Sequence, residues 1–154
     1  MIPEQAIGPR IKRISNAIDR KRTLDLEDLE LTSSQGIVLG FLVRNRDAGV
    51  SPGDIGKHFG LSHPTVTGIL QRLESKDFIR YAEDPSDRRR KRIEVTERAL
   101  DCHCRIHERF LETENQLTAG MTEPERAKLL ALLDQMIENM GADRGGCHTK
   151  EEPK

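Results

Sequence analysis

Apolar residues Ile7, Ile11, Ile14 and Ile18 recur at the helical interval, with Arg10, Lys12, Arg13, Asp19 and Arg20 on the remaining faces. This pattern predicts a first helix over residues 5–22, and the polar stretch Thr23 to Glu30 reads as a connection. Thr32 or Ser33 is placed to cap a second helix carrying Ile37, Val38, Phe41 and Leu42, which ends near Arg46 before the turn Asp47-Ala48-Gly49. Ser51-Pro52 opens a short third helix: serine caps free N–H groups, and proline at the first helical position loses no hydrogen bond. Gly60, free to turn left-handed, closes it. Ser62 then caps a helix from His63 to about Lys76, with Val66, Ile69, Leu70 and Leu73 on one narrow face. Helix, glycine break and helix make a helix-turn-helix spacing.

Phe78 to Tyr81 and Arg92 to Thr96 read as two short strands around a polar tip, Glu83 to Lys91, which holds the turn signal Asp84-Pro85-Ser86. Two strands around a basic loop, directly after a helix-turn-helix, make a wing. The remainder is helical: Glu97 to about Thr118, a break at Gly120, and Thr122 to Met140, opened by a Thr122/Glu125 capping box with Pro124 in the first turn. The expected fold is therefore mainly α with a small β-wing. A winged helix-turn-helix lobe spans 32–96, helices 5–22 and 97–140 flank it, and a polar, glycine-rich tail follows over 141–154.

Composition narrows the class. The 154 residues carry 25 Lys and Arg against 26 Asp and Glu, a net charge of −1, which at first argues against a nucleic-acid partner. The distribution reverses that. Residues 62–92 hold eight basic residues and five acidic ones, a net of +3, whereas 97–140 hold five basic and nine acidic, a net of −4. No apolar run approaches the roughly 20 residues that span a bilayer, and the N-terminus lacks an apolar signal core, so a cytoplasmic, membrane-free protein is expected. Three cysteines without an export signal exclude a disulfide framework. The sequence holds no nucleophile–base motif, no phosphate-cradling glycine loop and no paired carboxylates, so neither an enzyme nor a cofactor is expected.

Residues 61–99, LSHPTVTGILQRLESKDFIRYAEDPSDRRRKRIEVTERA, resemble the MarR family of bacterial winged helix-turn-helix transcription regulators. The Leu-Ser start, the Thr-Val-Thr recognition helix with its Leu-Glu end, and Asp87-Arg88-Arg89 in the wing carry the likeness. Val95-Thr96 opens the exit motif, with Ala99 where the family has glycine. The resemblance covers roughly residues 5–140. It implies a homodimer on a pseudopalindromic operator in the bacterial cytosol, at the nucleoid. Such a dimer is usually a repressor released by a small ligand or an oxidant.

On the recognition helix, His63, Thr65, Thr67, Gly68, Gln71 and Arg72 lie opposite the apolar face. Small polar residues near the helix start can enter a major groove about 12 Å wide. Threonine methyls suit thymine methyls, Gln71 suits adenine, and Ser62 with the first-turn N–H groups suits a phosphate oxygen. In the wing, the family pattern assigns Asp87 to bracing and Arg89 to the minor groove or its phosphates, with Arg88, Arg90 and Lys91 as phosphate contacts. A winged helix can also bind protein, and that remains a rival reading.

The apolar stripe of the first helix, together with Leu129, Leu132, Leu133, Met136 and Met140, exceeds what two terminal helices of a small monomer need. A two-fold dimer accounts for the excess and matches paired half-sites. On the helix from Glu97, the residues Ala99, Leu100, Ile106, Phe110, Leu111 and Leu117 fall within an arc of about 140°. His103 and His107 sit in its middle and Cys104 at its edge. The histidine pair admits three readings. They are hydrogen-bonded core or interface groups; or they line, with Ile11, Ile14 and Phe41, the pocket for a small aromatic or amphipathic effector that the family keeps between dimer helices and winged lobe; or they bind zinc. For zinc the pair has the right reach, and some family members sense zinc so, but no fourth ligand is visible in the first two helices. Thiol-sensing members use a first-helix cysteine, and Ile7 to Thr23 contains none. Cys102 and Cys104 lie about 200° apart around their helix and cannot pair; Cys147, in the tail, could reach another thiol.

Overall fold

The computed structural model describes residues 5–83 and 91–141. The elements follow as α1 (Ile7–Glu27), α2 (Ser33–Arg44), a 3-10 turn (Arg46–Ala48), α3 (Pro52–Phe59), α4 (His63–Ser75), β1 (Ile79–Glu83), β2 (Lys91–Val95), α5 (Glu97–Leu117) and α6 (Glu123–Asn139). Mostly helical, with a two-stranded wing, this is the expected fold class. The expected wing-tip residues Asp87, Arg88, Arg89 and Arg90 lie outside the described residues, as does the tail from residue 142 with Cys147. The chain divides into two compact units after Thr113.

Helix starts follow the local chemistry. Thr32 and Gln35 form a reciprocal capping box on α2, each side chain accepting the other's backbone N–H at 3.3 Å. On α3, Ser51 Oγ accepts the Asp54 N–H while Asp54 Oδ2 accepts the Ser51 N–H and hydroxyl at 2.9 and 2.6 Å. Those bonds from Ser51, side chain and backbone, hold the Asp54 carboxyl below the usual carboxylate range. On α6, Glu125 reaches back to the N–H and hydroxyl of Thr122.

The end of α1 departs from expectation. Thr23 to Glu27 continue the helix instead of forming a connection, so α1 runs past residue 22. Two forces hold the extra turn. Leu26 is buried in the core, and Arg109 on α5 donates to Asp25 at 2.9 Å and Asp28 at 3.0 Å. Burial pushes the Asp25 carboxyl up, but hydrogen bonds from Lys21 and Arg109 outweigh it and leave the group below its usual range. The turn beyond is left-handed at Glu30, φ 60°, with the Leu31 N–H returning to the Leu26 carbonyl at 2.9 Å.

The core gathers side chains from the helices and strands between α1 and the start of α5. Val38, Leu39, Leu42 and Val43 of α2, Ile55 of α3, and Val66, Ile69, Leu70 and Leu73 of α4 meet Phe78, Ile79 and Ile93 of the wing base. Ala99 and Cys102 of α5 close it. The α5 stripe is thus rotated from the expected arc. Cys102, not Cys104, turns inward; Leu100 and Ile106 pack against the core; Phe110, Leu111 and Leu117 stay exposed. Apolar residues occupy more than one side of α5, and the lobe covers only the side facing α1 and α2.

In the second unit, α6 has no buried residue, although Leu130, Leu132, Leu133 and Ile137 are spread along it.

Leu39 is fully enclosed. Leu39→Ala is expected to lower the unfolding free energy by about 2–5 kcal/mol, read as a fall in the urea midpoint at unchanged slope. A loss under about 1 kcal/mol would show that the core does not close around α2.

Candidate nucleic-acid interface

The second helix of the helix-turn-helix, α4, is set by its turn. Gly60 ends α3 at φ 64°. A Cβ on Gly56 would stand 3.1 Å from the Leu61 carbonyl oxygen and 3.8 Å from Val66 Cγ2, so the two helices meet across a glycine. Ser62 then caps α4: its Oγ accepts the Thr65 N–H at 3.4 Å and shares a 2.8 Å hydrogen bond with Thr65 Oγ1. Val66, Ile69, Leu70 and Leu73 point into the core. Ser62, His63, Thr65, Gln71 and Arg72 are exposed, and Thr67 is half-buried at the border. All six residues expected on the DNA side of this segment therefore lie outside the core.

The wing pairs antiparallel in the register Ile79↔Val95, Tyr81↔Ile93, Glu83↔Lys91. Ile79 and Ile93 anchor it, and burial pushes the Tyr81 phenol up. Lys91, exposed, starts β2 with its Nζ 6.0 Å from the centre of the Tyr81 ring. Arg92 is half-buried, and its Nε has no hydrogen-bond partner among the described residues. Two cations of the basic segment are committed internally, which net charge could not reveal. Lys76 Nζ donates to the Glu30 carbonyl and to Gln35 Oε1, and Arg80 pairs with Asp77 at 3.1 Å.

The residues expected to line an effector pocket fall into different surroundings. Phe41 packs against His58 and Phe59 of α3, tilted to the first and edge-on to the second, with ring centres 4.4 and 5.4 Å away. Ile11 and Ile14 are exposed on α1. His103 is half-buried where α5 approaches α2: a Cβ on Gly40 would lie 3.8 Å from His103 Cδ2 and 3.2 Å from Arg44 Nη1. His107, one turn on, is exposed. Burial, then the charges of Arg44 and His107, push the His103 pKa below its usual value. A separate cleft of about 430 Å³ is lined by Asp28, Leu29, Glu30, Phe78, Arg98 and Cys102, with Asp101 and Arg105, and includes none of these five candidates. Burial raises the Cys102 thiol pKa, which keeps it protonated and unreactive. Among the described residues no group of three or more His, Cys, Asp or Glu side chains is placed to hold a metal ion. No helix among them is long and apolar enough to cross a membrane.

A capped second helix with a polar outer face, followed by an antiparallel two-stranded wing, defines a winged helix-turn-helix protein. Known proteins agree. The MarR family model matches residues 29–90. The HTH-type transcriptional regulator PecS of Dickeya dadantii (strain 3937) is 28% identical over 144 residues, covering 92% of this chain and 86% of PecS. A MepR mutant of S. aureus bound to an oligodeoxyribonucleotide superposes with a TM-score of 0.75 at 30% identity, over 89% of this chain and 99% of that one. S. aureus MepR bound to ethidium bromide gives 0.73 at 29% identity, over 89% and 98%. The chain belongs to the MarR family of transcriptional regulators.

His103 makes stability depend on pH. Its folded pKa lies below the unfolded value of about 6.5, so the unfolded chain binds the proton more readily. Stability is therefore full above that value and falls as pH drops through it. Urea midpoints at pH 7.5 and 5.5 are expected to show this loss, and His103→Gln should reduce it. Asp25 and Asp54, whose carboxyl groups are held below the usual carboxylate range, stay ionised across that window.

Proposed function

We propose that the protein is a sequence-specific, double-stranded-DNA-binding regulator that sits on a pseudopalindromic operator as a homodimer and represses until a small effector releases it. The observation that carries this reading is the outer face of α4. Its side chains are polar, mostly short and free of the core, while the inward face holds the helix rigidly against α2 and α3. Thr65, Thr67 and Gln71 are the base-reading candidates; Ser62, His63 and Arg72 meet phosphates or the groove edge. Arg88, Arg89, Arg90 and Lys91 of the wing add backbone and minor-groove contacts. The oligonucleotide on the MepR mutant supports the same use of this fold. A protein with this task works in the cytoplasm, at the nucleoid.

Exposed apolar surface supports a second copy. Ile7 is 61% exposed on α1, and Leu130 and Met140 are 64% and 82% exposed in and just after α6. Water-facing stripes of this extent are covered in a stable protein, and two-fold pairing would bring two α4 helices to successive half-sites. The effector would be small and aromatic or amphipathic, held near Ile11, Ile14, Phe41, His103 and His107. Ethidium bound to MepR is the supporting parallel. Metal or oxidant control of the same fold, and a protein-binding winged helix, are the alternatives.

Binding of a labelled duplex, selected from random sequence, tests the reading by fluorescence anisotropy across a salt series. Arg89→Ala is expected to weaken binding and to reduce the slope of log affinity against log salt by about one. An unchanged slope would remove Arg89 from the contact set, and no salt-sensitive binding to any duplex would favour the protein-binding alternative. For the dimer, sedimentation equilibrium should give twice the chain mass. Leu132→Glu with Leu133→Glu should shift it towards one chain while the α2–α4 lobe stays folded. A wild-type monomer at micromolar concentration overturns the dimer.

A further inference from the structure

The glycines inside the helices of the lobe have different neighbours. A Cβ on Gly36 would stand 3.0 Å from Leu26 Cδ2, one on Gly40 3.2 Å from Arg44 Nη1, and one on Gly56 3.1 Å from the Leu61 carbonyl. Each has a close neighbour, and Gly53, near the start of α3, has Ser51 Oγ at 3.7 Å. Gly68 differs. It lies in the middle of α4, and a Cβ there would meet nothing within 4 Å among the described residues. Its φ is not in the left-handed region, so the backbone does not require glycine either. Glycine is the poorest helix former after proline because it loses the most backbone freedom. The fold thus carries a destabilising residue in its recognition helix with no compensating internal contact.

Its position gives the reason. Helical spacing puts Pro64 and Thr65 one turn before Gly68, and Gln71 and Arg72 one turn after. All four are exposed, so Gly68 forms the floor of a notch between them, near the middle of the outward face. We propose that Gly68 is a specificity-determining residue: the notch receives the edge of a base pair in the major groove, and the missing side chain lets the helix backbone approach that edge directly. This rests on the DNA-binding reading above and locates the point of closest approach within it. Gln71 and Arg72, rooted one turn on, then reach the base pairs beside the notch. A methyl group at position 68 would hold the helix off the groove floor and lengthen those contacts together.

The two effects of Gly68→Ala have opposite signs, and this separates the proposal from a packing role. The thermal midpoint of the full-length protein is expected to rise by about 2–4 °C, because alanine favours the helix. Affinity for the duplex that the wild-type protein selects from random sequence should fall about tenfold. Binding to an unselected duplex of equal length should hold within about twofold. Gly68→Ser, adding a hydroxyl to the same Cβ, should repeat the loss on the selected duplex. A midpoint that falls in both variants would show that the fold needs the glycine and overturn the proposal. Unchanged affinity for the selected duplex would also overturn it, as would equal losses on both duplexes, which would mean that the notch meets sugar and phosphate. A wild-type protein that binds no duplex would overturn the DNA-binding reading itself, an outcome distinct from all of these.

Discussion

The lobe depends on one polar knot centred on a buried glutamine. Gln35, only 2% exposed, accepts the Thr32 N–H and the Lys76 ammonium on the same amide oxygen. Lys76 also donates to the Glu30 carbonyl, and the Glu30 carboxylate takes Arg98 at 2.7 Å. Nearby, the Thr96 hydroxyl donates to the Asp77 carbonyl at 2.7 Å and caps the Ala99 N–H at 3.2 Å. Three chain reversals, α1 to α2, α4 to β1 and β2 to α5, are thereby tied together. Glu30 and Asp77, at φ 60° and 59°, hold a backbone conformation that non-glycine residues adopt only when their surroundings enforce it. At Gln35, where water cannot replace a lost partner, an unpaired amide costs more than its bond contributes when complete.

That knot matters because it grips the C-terminal end of the recognition helix. Ser62 fixes the other end and the apolar face fixes the rotation, so α4 presents its outer side chains from a rigid base. Arg98 adds a brace by lying 4.9 Å over the Phe78 ring at the root of the wing. Helix and wing are thus positioned by the same few residues, and a disturbance at the α1–α2 turn would be felt by both.

What the sequence made legible was local. Thr32, Ser51 with Pro52, Ser62, Gly60 and Thr122 marked helix ends because capping is chemistry between near neighbours. The apolar face of α4 was legible because a single clean stripe admits one orientation. The end of α1 was not, since its last turn is secured by Arg109, more than 80 positions away, and by burial of Leu26 in the core. The inward face of α5 is not legible for a related reason. With apolar groups on two sides, the choice between Cys102 and Cys104 belongs to the packing and not to the period. Gly68 reads in the sequence only as one residue of the outer face; the open space around it is visible only in the fold. The proposed effector residues stay dispersed because their spacing carries no closed motif.

Helix α6 buries no residue in its own chain. In the proposed homodimer the partner copy would cover that helix, and the free energy of pairing would contain the concentration of the chain itself. At low copy number the population of such a dimer would fall with the square of the chains available, not in proportion to them. Were the protein the repressor proposed above, its abundance alone would then set a threshold for its action.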